Sequence, residues 1–302
     1  MANIFLLHGM WSHDGVAAPL QRHLEKIGHC VFAPTLPAHD RTDPEQAEKV
    51  GNLSLSAYVE HITDLIEKEN FAEPPVLIGH SMGGLIAQMV ASRIPVSGLC
   101  LLNSAGPAGT NHIYPAPAWF FRRTLARPFF WKRPQKPTLG ETRWGLMNRT
   151  DFDVARDFDI SRDYDVAGTV YETLVAESGR AFFELVFWWL DWKKTTRIKL
   201  PEVPTFIVSS GKDRVVHPQV ARSLQRRYPH AEFQSFPDNG HWVFHEAGAE
   251  RIYEAVEIWL SATFGTPREW SSELHHAPVG MVETTTSSPY PKPENSPAES
   301  TI

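Results

Sequence analysis

Six consecutive residues, Gly79-His80-Ser81-Met82-Gly83-Gly84, constrain this chain more than any other feature. The apolar run Val76-Leu77-Ile78 precedes them. An apolar stretch of helical length, Leu85-Ile86-Ala87-Gln88-Met89-Val90, follows. Strand, tight turn and helix with a serine at the apex is the setting in which a G-x-S-x-G sequence holds its hydroxyl out above a sheet edge. Such a turn puts Ser81 in a strained backbone conformation at the positive end of a helix. It calls for glycine at 79 and 83, because a Cβ at either place would collide with the neighbouring strand or helix. Taken alone, the pentapeptide is also what chance supplies in a Gly-rich loop; the flanking strand and helix patterns are what give it meaning.

The same alternation extends on both sides. The short apolar runs Ile4–Leu7, Cys30–Ala33, Val76–Ile78 and Leu99–Leu102 read as strands. Between the first two, Val16, Leu20, Leu24 and Ile27 repeat at helical spacing and stop at Gly28. Between the next two, Leu55, Tyr58, Val59, Ile62, Leu65 and Ile66 do the same. The pattern resumes with strands at Thr205–Ser209 and Phe233–Phe236 and a last helix in which Ile252, Val256, Trp259 and Leu260 share a face. Short strands joined by helices imply an α/β fold, a mostly parallel sheet covered on both faces.

Residues 107–199 break the alternation and are rich in Trp and Phe, from Trp119 to Trp192. Arg162 to Lys193 reads as mostly helical, and the part before it as helices broken by prolines. Inserted between two strands, this segment is expected to form a helical cap over their carboxyl ends, leaving residues 1–106 and 200–265 as the core. Residues 266–302 hold six prolines and many Ser and Thr, a composition that builds no core and is expected to be a disordered tail.

The bulk numbers narrow the classes. The 302 residues are 42% hydrophobic and 21% charged, as in an ordinary globular protein. A formal charge of -6 gives no case for nucleic acid as a partner. The longest apolar runs fall well below the roughly 18 residues of a membrane span. The start, Met1-Ala2-Asn3-Ile4-Phe5-Leu6-Leu7, reads as a buried strand rather than a signal peptide. Cys30 and Cys100 read as packed thiols in core strands, consistent with a reducing cytoplasm. No His-Glu-x-x-His and no paired cysteine spacing is present, so neither metal nor cofactor is expected.

A serine hydroxyl needs a base to take its proton and an acid to orient that base. Asp213 lies just past the strand Thr205–Ser209, and His241 lies in Asp238-Asn239-Gly240-His241-Trp242, just past the next strand. Loops at the carboxyl ends of parallel strands converge on one crevice. Of 14 histidines, only His241 follows the last strand in a Gly-His context. Asp213 competes with its reading as a turn residue, and with Asp14, Asp191 and Asp238 as candidate acids; after the preceding strand the chain offers only Asn103-Ser104.

Through His8-Gly9-Met10-Trp11, Gly79-His80-Ser81-Met82-Gly83-Gly84, Gly211-Lys212-Asp213 and Gly240-His241, residues 1–106 and 200–264 resemble the α/β-hydrolase family. The order Ser81, Asp213, His241 matches that family's. The resemblance implies Ser81 as nucleophile, His241 as general base then acid, and Asp213 as the orienting acid. It also implies an oxyanion hole from the backbone N–H groups of Met10 and Met82. The chain begins at the strand before His8-Gly9, so the family's first two strands are expected to be missing, which predicts a parallel sheet of six. Trp11, Trp242 and Met82 are candidates for the pocket lining, with core packing as the other reading, while His8 and His80 read as structural.

The resulting expectation is a serine hydrolase cleaving a carboxylic ester of an apolar or aromatic small molecule. A thioesterase, lactonase, C–C bond hydrolase or perhydrolase with the same three residues, or a low-turnover binding protein, are the alternatives. The stretch Trp119 to Lys136 interleaves Arg122, Arg123, Arg127, Lys132, Arg133 and Lys136 with aromatics. Pairing with the aspartates of residues 151–165 is the preferred account; steering of an anionic substrate, an acyl-carrier partner or a membrane surface is the other.

Overall fold

The computed structural model describes residues 1–147, 166–246 and 248–265. Residues 266–302 and the aspartate-rich stretch 151–165 lie outside the described residues, and so do the expectations placed on them.

Six strands form one sheet: β1 (Asn3–Leu7), β2 (Cys30–Phe32), β3 (Val76–His80), β4 (Gly98–Leu102), β5 (Thr205–Ser210) and β6 (Glu232–Phe236). Their order is β2-β1-β3-β4-β5-β6, and every neighbouring pair is parallel. This is the six-stranded parallel sheet that the alternating pattern predicts. The central strands β3, β4 and β5 are buried along their whole lengths, which is why they read as unbroken apolar runs. Cys100 sits in that interior, and burial holds its thiol far above the ordinary range. Cys30 departs from expectation. It is exposed, because β2 is the sheet edge and only three residues long.

Helices α1 (Ala18–Lys26), α2 (Leu55–Glu69) and α3 (Met82–Ala91) cover the sheet's first half. Each boundary has a local cause. Ser54 caps α2 by accepting the Ser56 N–H, and Asn70 ends it in the left-handed region at φ 47°. Gly28 follows α1 at φ 94°. Helix α3 is buried from Met82 through Val90, hence apolar all round. Each fully buried Leu or Ile in it contributes about 1.5–3 kcal/mol.

Among its described residues the inserted segment holds α4 (Pro115–Phe120), α5 (Val166–Thr173) and α6 (Gly179–Val186), with shorter helical turns between Arg122 and Leu146 and a two-residue antiparallel pairing of Pro134–Gln135 with Glu177–Ser178. The helix expected over Arg162–Lys193 is therefore interrupted among its described residues. Extended backbone at Glu177–Ser178 lets the Glu177 carboxylate turn inward, where it meets His39 Nε2 at 3.0 Å, accepts from the Tyr58 hydroxyl at 2.8 Å and is fully buried. Helix α6 ends at Val186, and farther on the Asp191 carboxylate fixes a turn by accepting the N–H groups of Lys193 and Thr195. On the core side α7 (Pro218–Arg227) and α8 (Ala249–Phe264) complete the layers.

Glu177 and Glu184 tie the insertion to the core. Glu184 accepts from the Ser54 hydroxyl and the Leu55 N–H. His39 faces oxygen on both ring nitrogens, the Pro37 carbonyl and Glu177, and its pKa is raised above the usual histidine value although burial alone opposes this. The pair is thus an imidazolium held against a carboxylate, both side chains fully buried.

Candidate active site

Ser81 stands between β3 and α3 at φ 56°, ψ −122°, a backbone conformation that L-residues rarely adopt. Two glycines permit it. A Cβ on Gly79 would run into the Gly83 carbonyl, and one on Gly83 into the carbonyls of Leu7 and His8. The turn is fastened by the Ser81 N–H donating to Leu102 O at 3.0 Å, and by Gly84 N–H and Ala105 N–H donating to Ser81 O.

Asp213 and His241 come to this point from the ends of β5 and β6. Asp213 Oδ1 accepts the N–H groups of Val215 and Val216, both at 2.8 Å, which fixes the carboxylate in its turn. Its Oδ2 lies 2.7 Å from His241 Nδ1. A carboxylate only accepts, so Nδ1 carries the proton and Nε2 presents a lone pair. That lone pair faces Ser81 Oγ at 3.0 Å. All three side chains are buried. Asp14, Asp191 and Asp238 are engaged elsewhere: with His13, with the turn at 193–195 and with Lys212 respectively.

Met10 and Met82 flank the serine. Met82 is the first residue of α3, and Met10 follows Gly9, whose added Cβ would lie 2.9 Å from Ser81 Cβ. Neither backbone N–H has a protein acceptor among the described residues. Trp11, at φ 60°, accepts the Val175 N–H on its carbonyl and packs its indole against Phe120 and Phe121. Trp242 packs edge-on to His80 and donates Nε1–H to His245. Both indoles are buried, and neither lines the cavity above Ser81.

That cavity is floored by Met10, Ser81 and Ala105. Its walls are mainly apolar: Phe121, Leu125, Phe182, Leu185 and Phe187 from the insertion, and Val215, Val216 and Val220 from the core. Asn111, His112 and His217 add its polar groups. His217 stacks on Tyr114 with ring centroids 4.1 Å apart, and burial lowers its pKa.

Two supporting residues, Asn103 and Glu246, escaped the sequence reading, and a third, His80, does more than pack. Asn103, at φ 43° just after β4, directs Nδ2 at the Gly240 carbonyl and at Ser210 Oγ, both at 2.9 Å, and accepts the Ser210 N–H on Oδ1. It buckles the ends of β4 and β5 to the loop that bears His241. The available signal was an Asn at a strand end, a residue type that tolerates positive φ. His80, read only as structural, donates Nε2–H to the His241 carbonyl at 2.8 Å. Burial first, then the neighbouring His241, holds its pKa well below the usual value, so it stays neutral. Glu246 accepts the Gly240 N–H at 2.6 Å, and burial raises its pKa to about 7. Nothing in its local sequence marks it. Among the described residues no cluster of His, Cys, Asp and Glu has the makings of a metal site.

The profile of the alpha/beta hydrolase family matches residues 4–255 of this chain. Among characterised proteins, the carbendazim hydrolyzing esterase of Nocardioides sp. (strain SG-4G) is 32% identical over 94 residues, 31% of this chain and 37% of that protein. The magnesium-chelatase 30 kDa subunit of Rhodobacter capsulatus is 26% identical over 238 residues, 76% of this chain and 77% of its own length. The match to the esterase thus spans little more than a third of that relative. Among solved structures, a pyrethroid hydrolase from Sphingobium faniae JZ-2 superimposes with a TM-score of 0.59 at 20% identity, covering 86% of this chain and 98% of that one. At that identity the likeness speaks for the fold. With the family profile covering most of the sequence, the chain belongs to the alpha/beta hydrolase family.

Proposed function

We propose that this protein is a serine hydrolase that cleaves a carboxylic ester with an apolar acyl chain or ring. The carrying observation is the hydrogen-bonded line Asp213–His241–Ser81, with separations of 2.7 and 3.0 Å, at the floor of an apolar cavity. In this reading His241 Nε2 takes the Ser81 proton as Oγ attacks the acyl carbon. The tetrahedral oxyanion is received by the N–H groups of Met10 and Met82, which have no other protein acceptor among the described residues. Each such donor typically contributes about 3–4 kcal/mol to the barrier reduction. The imidazolium, steadied by Asp213, then protonates the leaving alcohol. A water, deprotonated by the same nitrogen, attacks the acyl-enzyme and releases the acid with Ser81 restored. The kinship to an esterase supports an ester over other acyl donors.

The test is Ser81→Ala assayed on p-nitrophenyl esters. Loss of at least about 10⁴-fold in kcat/KM is expected, and retained turnover overturns the assignment. A panel of esters, thioesters and lactones of matched acyl chain separates the ester reading from other uses of the same three residues. A second reading, a binding protein with little turnover, is kept beside it because the relative matched over 76% of this chain is named as a chelatase subunit and not as an ester hydrolase. Labelling by a fluorophosphonate discriminates, because an inert serine stays unlabelled.

A further inference from the structure

We propose that the face formed by residues 127–133 and 188–197 docks this protein on an anionic lipid surface. This goes beyond the hydrolase reading and does not depend on it.

The face is built from rings that a folded protein would ordinarily bury. Phe129 contacts Trp131, Trp131 contacts Phe183, Phe183 stacks on Phe187, and Phe187 contacts Trp189, with centroid separations of 5.6 to 6.0 Å. The ladder is continuous, and its outer members face solvent: Phe129 is 58% exposed and Trp189 47%. Beyond it, Leu190 is 60% and Trp192 83% exposed. Its inner member, Phe187, lines the cavity above Ser81. The ladder thus runs from open solvent to the cavity wall.

Charge identifies the occupant. The whole chain is acidic at -6, yet the residues interleaved with these rings are Arg127, Lys132, Arg133, Lys193, Lys194 and Arg197, all exposed. The one carboxylate in the two stretches, Asp191, is buried and occupied by the N–H groups of Lys193 and Thr195. Among the described residues none of the six cations lies within 4 Å of a carboxylate. Lys132 sits over the Phe129 ring and Lys193 over the Trp192 ring, so cation and aromatic present one combined surface. Ion pairing within the protein accounts for cations but not for phenyl and indole faces left in water. A membrane interface accounts for both, since aromatics settle at the headgroup level and lysines and arginines meet anionic headgroups. No described helix is long and apolar enough to cross a bilayer, so the contact is peripheral.

The experiment uses the full chain carrying Ser81→Ala, so that binding is read without hydrolysis. Sedimentation with vesicles of phosphatidylcholine and phosphatidylglycerol in equal parts is compared with phosphatidylcholine alone. Partitioning at least tenfold stronger to the anionic vesicles is expected, weakening in 0.5 M salt. The double variants Lys132→Glu/Lys193→Glu and Trp189→Ser/Trp192→Ser change exposed residues and retain the wild-type circular dichroism. Each is expected to bind at least tenfold more weakly, since one cation near such a surface contributes roughly fivefold. Equal partitioning to both vesicles, or variants that bind like the parent, overturns the proposal. So does a concentration-dependent dimer that the tryptophan variant abolishes while vesicles stay unbound, which assigns the face to a second copy. Because the parent lacks the serine hydroxyl, none of these outcomes depends on whether Ser81 is a nucleophile.

Discussion

His80 holds the backbone of His241: its Nε2–H donates to the His241 carbonyl at 2.8 Å, and the two rings lie 4.8 Å apart. The residue before the serine thus sets the position of the loop that carries the imidazole. His80→Phe keeps the ring and removes the shortest of three hydrogen bonds to that carbonyl, those from the Val243 N–H and Asn103 Nδ2 remaining, a loss of about 0.5–1.5 kcal/mol. The expected outcome is a kcat for p-nitrophenyl butyrate at least tenfold lower with KM within twofold. His80→Gln, which restores an N–H donor, is expected to recover part of the loss.

Glu246 is a buried carboxyl whose pKa is raised from 4.5 to about 7 by desolvation. Between those values the folded state holds a proton that the unfolded state has released, so the stability it confers fades as pH rises to about 7. Above 7 the fold carries a buried charge at a cost of up to about 3 kcal/mol, reduced by solvent screening. Glu246→Gln is therefore expected to melt higher than the parent at pH 8 and at the same temperature at pH 4. Scanning calorimetry at the two values checks both the sign and the window.

His8 behaves in the opposite sense. Burial, then the nearby His39, lowers its pKa from 6.5 to about 3. It is held neutral, Nε2 accepting the Leu36 N–H at 3.0 Å while Nδ1–H donates to Gly9 O. The unfolded chain takes up a proton at pH 6.5 that the fold refuses until about 3, so stability falls as pH drops through that interval. The cost is up to about 1.4 kcal/mol for each pH unit. His8→Gln is expected to flatten the decline in urea midpoint between pH 6.5 and 4; an unchanged slope contradicts the assignment.

Breaking the His39–Glu177 pair from one side leaves the imidazolium buried and uncompensated. Glu177→Gln is expected to cost about 3–5 kcal/mol in urea unfolding. The raised pKa of His39 has its own consequence: its stabilisation is complete below pH 6.5 and is lost as pH rises through the folded value.

Leu185 lies on the cavity wall contributed by the insertion. Leu185→Trp adds bulk to that wall. Turnover of a p-nitrophenyl octanoate is expected to fall at least tenfold while the acetate is cleaved at the parental rate; a parallel loss on both esters counts against an acyl site in this cavity.

The core was legible because its central strands are buried on both faces and its turns are chemically marked. Val76–Ile78 reads as a strand from composition alone, and the glycines around Ser81 announce a close approach of backbones that the structure contains. Less was legible in residues 174–197. Phe187 to Trp192 is an apolar run with almost no punctuation, so periodicity favours a helix; the turn there is written by the Asp191 side chain, which a local pattern does not reveal. Asn103 acts on Gly240 from a position distant in sequence, a relation that exists only once the sheet has brought the loops together, whereas Glu246 reaches back to Gly240 across six residues of a loop that no periodicity marks. Cys30 misled because an apolar strand at a sheet edge looks, in sequence, like one inside.

Ser81, Asp213 and His241 all hang from strand ends of the sheet, whereas Phe121, Leu125, Phe182, Leu185 and Phe187 belong to the insertion. In the proposed mechanism bond making therefore sits at the strand ends, while the phenyl rings of the cavity wall come from another stretch of the polypeptide. A lineage carrying this arrangement can exchange the roof through mutation, and with it the molecules admitted, while the machinery beneath is inherited intact.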